Sequence, residues 1–115
     1  MALETRELAR TDWKEYFDDF SRDLERLVAT VEVAGDDIGA QVEAERLILT
    51  GITYDNKDDI LVIGLDAEGG ITEEVDHIIS QPQKIYLASG EDGQSTIDVE
   101  DAEGHKTLVR LEPAG

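Results

Sequence analysis

Trp13-Lys14-Glu15-Tyr16-Phe17-Asp18-Asp19-Phe20-Ser21-Arg22-Asp23-Leu24-Glu25-Arg26-Leu27-Val28-Ala29-Thr30-Val31-Glu32-Val33 decides the fold, because its apolar period changes partway along. Trp13, Tyr16, Phe17, Phe20, Leu24 and Leu27 recur at helical spacing and form one stripe. Asp18, Asp19, Asp23 and Glu25 occupy the opposite face. Thr11 is the expected N-cap, with Asp12 favouring the helix dipole. Asp18 and Arg22 are placed to pair at i,i+4. From Leu27 the period becomes two: Leu27, Ala29, Val31 and Val33 alternate with Val28, Thr30 and Glu32. That is a strand with one face toward a core. The stripe reads as the helix's core-facing side, with an aromatic ligand pocket or partner groove as its functional alternative.

Working outward, residues 1–10 read as a flexible polar leader, and 11–112 as a single α+β domain. Gly35-Asp36-Asp37 supplies a turn. Ile38 to Glu45 alternates strictly and reads as a strand, although Gln41 to Arg46 also has good helix propensity. Leu47 to Tyr54 is a further strand, with Gly51 a candidate bulge. After the turn Asp55-Asn56-Lys57-Asp58, Ile60 to Leu65 is apolar on both faces, the pattern of a central strand covered on both sides. Ala67-Glu68-Gly69-Gly70 breaks the chain, and Ile71 to Pro82 fits a short helix or a strand. Strands follow at Lys84 to Ala88, Ser95 to Glu100 and Lys106 to Glu112. Asp92-Gly93 and Asp101-Ala102-Glu103-Gly104 mark hairpins. The expected architecture is an N-terminal amphipathic helix on a curved antiparallel sheet of about six to seven short strands, a roll or partly open barrel.

Charge limits the function classes. The chain carries 28 Asp+Glu against 10 Lys+Arg, a net charge of −18. Such a surface repels nucleic acid phosphates and anionic lipid, and attracts cations and basic proteins. An apolar content of 40% with clean periodicity argues against disorder. Three readings of the acidity remain: a solvated surface bias, a docking face for a basic partner, and nucleic acid mimicry. The absence of cysteine excludes disulfides and thiolate metal sites. No apolar run approaches membrane-spanning length, and no signal-peptide pattern opens the sequence, so a cytoplasmic location is expected.

Candidate sites are sparse. Asp55, Asp58 and Asp59 suggest a cation loop, yet Lys57 and Ile60 break the calcium-loop spacing. His77 and His105 lack the partners that a zinc site needs. His105 follows a turn glycine and is expected in solvent. His77, beside Asp76, is either a satisfied structural side chain or a general base, and Ser80 is the nearest nucleophile, without an elbow motif to frame it. The pairs Glu43 with Glu45 and Asp98 with Glu100 fall on solvent-facing positions, where carboxylates titrate normally. Phosphate-binding loops and basic aromatic patches do not occur. His77 and Tyr86 are candidate interaction residues, and no cofactor is implied.

Several segments together resemble a family of small bacterial proteins described as a domain of unknown function, DUF5335. They are Thr5-Arg6-Glu7-Leu8, Trp13-Lys14-Glu15-Tyr16-Phe17 with Phe20-Ser21, and Ile38-Gly39-Ala40-Gln41-Val42-Glu43-Ala44. Leu47 through Gly51-Ile52-Thr53-Tyr54-Asp55-Asn56-Lys57-Asp58-Asp59 also matches, as does Asp76-His77-Ile78-Ile79 with Pro82 and Ile85. The family's turn has proline where this chain has Asn56, and both suit a turn. The resemblance covers nearly the whole chain and transfers no activity or cofactor. The expectation is therefore a non-enzymatic accessory or interaction domain, meeting a basic protein or a second copy of itself. A small-ligand or divalent-cation binding domain is the alternative, and a hydrolase using His77 the third.

Overall fold

A computed structural model describes residues 4–66, 75–90 and 93–114. Among these described residues the sequence alternation produces eight strands: β1 (Glu4–Leu8), β2 (Leu27–Gly35), β3 (Gly39–Asp55), β4 (Ile60–Asp66), β5 (Val75–Ser80), β6 (Pro82–Ser89), β7 (Ser95–Asp101) and β8 (Lys106–Pro113). They form one sheet in the order β1-β6-β7-β8-β2-β3-β4-β5, and every neighbouring pair is antiparallel. The strand count exceeds the expected six to seven. Among the described residues the sheet does not close, and β1 and β5 are its edges. Among the described residues no helix is long and apolar enough to cross a membrane.

The helix, α1 (Trp13–Arg22), is ten residues long and follows a 3-10 turn over Arg10–Asp12. It starts after Asp12 rather than Thr11 and stops well short of Leu27. The stripe outlasts the helix because Leu24 and Leu27 pack against the core from non-helical backbone, and Leu27 already pairs with Pro113. Arg22 bonds Asp19 at 3.2 Å and Asp23 at 3.4 Å, while Asp18 takes Lys14 at 2.8 Å instead.

Residues 4–8 are not a flexible leader. Leu8 is 3% exposed and lies opposite Ile85, and Trp13 Nε1 donates to the Leu8 carbonyl at 2.8 Å. The next residues lock the corner. Arg10 lies 4.4 Å over the Trp13 ring and donates to the Pro82 carbonyl at 2.7 Å. The polar start of the chain concealed this because one buried leucine and one arginine do most of its fastening.

The two strands expected from Ile38 to Tyr54 are one, β3, bent by irregularities. Two residues, Glu45 and Arg46, oppose Thr30 alone, and Arg46 takes φ 52° there. Further along, Thr50 is extra between Leu49 and Gly51, which face the adjacent Leu65 and Gly64. Ser21 of α1 fills that bulge, donating to the Ile52 carbonyl and accepting from its N–H at 2.8 and 2.9 Å. The Gly51 bulge expectation is thus met at its neighbour, and a Cβ on Gly51 would come into van der Waals contact with the Ser21 hydroxyl at 3.4 Å.

Strand β4 buries Leu61, Ile63 and Leu65, but Ile60 and Val62 on its other face stay half-buried. It therefore lies beside an edge strand and is covered on one face only. Of the segment Ile71 to Pro82, residues 75–80 are the strand β5; 71–74, the break at 67–70 and Asp92 of the expected hairpin lie outside the described residues. Gln81 alone joins β5 to β6, at φ 53°. Its N–H meets the Asp59 carbonyl, and its carbonyl accepts from Ala102, so both flanks of the sheet converge there.

Candidate functional site

Register fixes which β5 side chains face the core. His77 lies opposite Ile63 and Ile79 opposite Leu61, so both point to the buried side. Ile79 is buried, but His77, one step nearer the strand start, is only half covered. It opens into a cleft of about 390 Å³ between β5 and the β7–β8 turn. Glu43, Ser80, Asp101, Glu103, His105 and Thr107 also line this cleft, and among the described residues no lysine or arginine does.

The second histidine reaches the cleft through the turn chemistry. Asp101 Oδ1 accepts from the N–H groups of Glu103 and His105 at 2.9 and 3.0 Å, and Gly104 takes φ 86° to close the turn. His105 Nε2 then meets Asp37 Oδ1 at 2.8 Å across the β2–β3 hairpin. Glu103 and Asp101 lie 3.8 and 3.9 Å from its Nδ1. The side chain is 19% exposed, so the expectation of a solvated His105 fails. Gly35 is the sequence signal for this contact: a Cβ there would collide with the His105 ring.

The two imidazoles titrate in opposite senses. The hydrogen bond to Asp37, and then the surrounding carboxylates, raise His105 above its ordinary value against some desolvation. Burial lowers His77, and the charge of Glu43 only partly opposes it. Among the described residues the His77 side chain makes no hydrogen bond, and Ser80, three residues along the strand, is not bonded to it. The cleft therefore holds His77 beside a serine and a carboxylate without the linked geometry of a nucleophile and its base.

The other sequence candidates lie elsewhere. Asp55 Oδ1 accepts from the N–H groups of Lys57 and Asp58, a local turn bond. Asp59 instead accepts the Tyr54 hydroxyl at 2.7 Å and pairs with Arg10 at 3.4 Å. Asp55, Asp58 and Asp59 do not converge on a common point, and no group of three or more metal-type side chains forms among the described residues. Tyr86 alternates with buried Ile85 and so faces the opposite side of the sheet from His77, beside Asp98. In place of the expected solvated acid, burial raises the Asp98 carboxyl above the ordinary value, and among the described residues its enclosed Oδ1 has no hydrogen-bond partner.

A second cavity, about 460 Å³, follows the exposed shoulder of α1. Trp13 and Phe17 of the stripe are fully buried, whereas Tyr16, Phe20, Leu24 and Leu27 are half-buried and line this groove. The stripe thus divides between core and surface, which the helical period alone does not reveal.

The model of a family of unknown function, DUF5335, matches residues 4–114. The chain belongs to the DUF5335 family. An uncharacterised protein of Aquifex aeolicus (strain VF5) is 37% identical over 113 residues, covering 97% of this chain and 96% of the relative. No solved structure matches the chain. The DUF5335 match includes β1, in keeping with its place in the sheet.

Proposed function

We propose that this DUF5335 domain is a non-enzymatic interaction module whose β5 edge accepts an extended basic segment of a partner protein. The observation that carries this reading is the character of that edge. Among the described residues β5 pairs with β4 alone, and it exposes Val75 (55%) and Ile78 (54%) on its two faces. A free edge offers backbone groups to an added strand, and the side chains beside it set specificity. The cleft next to it is rimmed by Glu43, Asp101 and Glu103, which favours lysine or arginine over acidic residues in the incoming strand.

The test uses a fluorescein-labelled peptide alternating lysine with valine, with a glutamate–valine peptide as its control, read by anisotropy at physiological salt. Saturable binding of the lysine peptide alone, lost in Ile78→Lys, supports the reading. Equal binding of both peptides, or an unchanged affinity in Ile78→Lys, rejects it. Concentration-dependent dimerisation that Ile78→Lys abolishes would make a second copy the occupant instead of a basic partner.

A further inference from the structure

We propose that the groove along α1 binds a linear aliphatic polyamine. Its wall is apolar and aromatic: Tyr16 and Phe20 present nearly parallel rings, 10° apart with centroids at 6.4 Å, and Leu24 and Leu27 continue the surface. Its acidic lining is Asp19, Asp23 and Glu25, and among the described residues no cation lines it. At about 460 Å³ it falls in the range of small-molecule sites, roughly 300–1,000 Å³.

The chemistry of the lining selects the ligand class. An anion would meet carboxylates. A bare metal ion needs several convergent oxygens, and no such group forms among the described residues. A neutral apolar ligand would make no use of the carboxylates. What fits is a chain with methylenes for the ring faces and ammonium groups for the acids, since cations are drawn to aromatic faces as well as to carboxylates. Asp19 and Asp23 are four residues apart, about 6 Å along a helix axis, a span that a short alkyl link between two ammonium groups covers.

Side-chain cations already contact these same residues from outside the groove. Arg6 lies 5.9 Å over the Tyr16 ring, and Arg22 bridges Asp19 and Asp23 from outside the groove. The Arg22 side chain is 68% exposed. Exposed pairs of that kind contribute little, so an ammonium group can displace it.

The experiment is calorimetric titration of the full chain with spermidine at physiological salt. Expected is saturable one-to-one binding. Asp23→Asn combined with Glu25→Gln should weaken it about tenfold, and Phe20→Leu, which keeps the charge and removes the ring, should weaken it as well. Asp55→Asn combined with Asp58→Asn removes the same charge elsewhere and should leave the affinity unchanged. Thermal melts of each variant confirm that it is folded. Non-saturable heats, equal weakening by both charge pairs, or an unchanged affinity in folded Phe20→Leu would overturn the proposal and leave only counterion attraction to an acidic surface. The peptide test at β5 is independent of each of these results.

Discussion

Strand β1 finishes one side of the sheet with Arg6 and Glu7 in solvent, whereas β5 finishes the other with Val75 and Ile78 exposed beside one acid, Asp76. Each edge is anchored by one buried residue, Leu8 in β1 and Ile79 in β5, at 3% and 4% exposure. The anchoring is equivalent and the outer surfaces are not. A charged edge discourages further pairing, and an apolar one invites it. Among the described residues the β1 side of the sheet is therefore guarded by charge and the β5 side is not, and the β5 side lies next to the carboxylate-rimmed cleft.

The largest expected effect tests the shared anchoring. Leu8→Ala and Ile79→Ala should each cost about 2–5 kcal/mol in urea denaturation, as buried large-to-small changes do. A loss confined to Ile79→Ala would mean that β1 is dispensable. Next, Tyr54→Phe removes the bond to Asp59 at the corner where the flanks converge, and should cost about 1 kcal/mol. Ile78→Lys, beside Ile79 on the same strand, should shift stability by no more than about 0.5 kcal/mol. A large loss there would show that Ile78 is covered and the edge is not free.

Smaller effects come from titration. Below pH 6.5 the raised His105 contributes its full stabilisation, which is lost as pH rises through its folded value. His105→Gln should thus be most damaging in mild acid. His77 has the opposite sign: its lowered value makes the fold less stable as pH falls below 6.5, and His77→Gln should remove that loss. Two-dimensional NMR of the imidazoles should find His105 titrating above His77. Least of all, Asp98→Asn should slightly raise Tm at neutral pH. That gain should vanish below pH 3.8, where the unfolded carboxyl is protonated too.

The local periods carried much of the fold. The change at Leu27 from helical to alternating spacing located both α1 and β2, and the turns at Gly35 and Gly104 appear where glycine and aspartate mark them. Less legible were the features that depend on distant partners. Nothing local in Glu4 to Leu8 signals a strand, because its partner is β6, roughly eighty residues away. His105 looked solvated because Asp37 and Gly35, which hold its ring, belong to another hairpin. The cleft joins His77 and His105 only through the approach of β5 to the β7–β8 turn.

By itself the sequence determined the helix, most of the strands, the antiparallel character of the sheet and the net charge of −18, since each follows from neighbouring residues or from a sum over the chain. Tertiary structure decided which strand became an edge, which half of the aromatic stripe stayed accessible, and which carboxylates met a histidine. Those outcomes depend on side chains far apart in the chain reaching one place, and local periodicity carries no record of that.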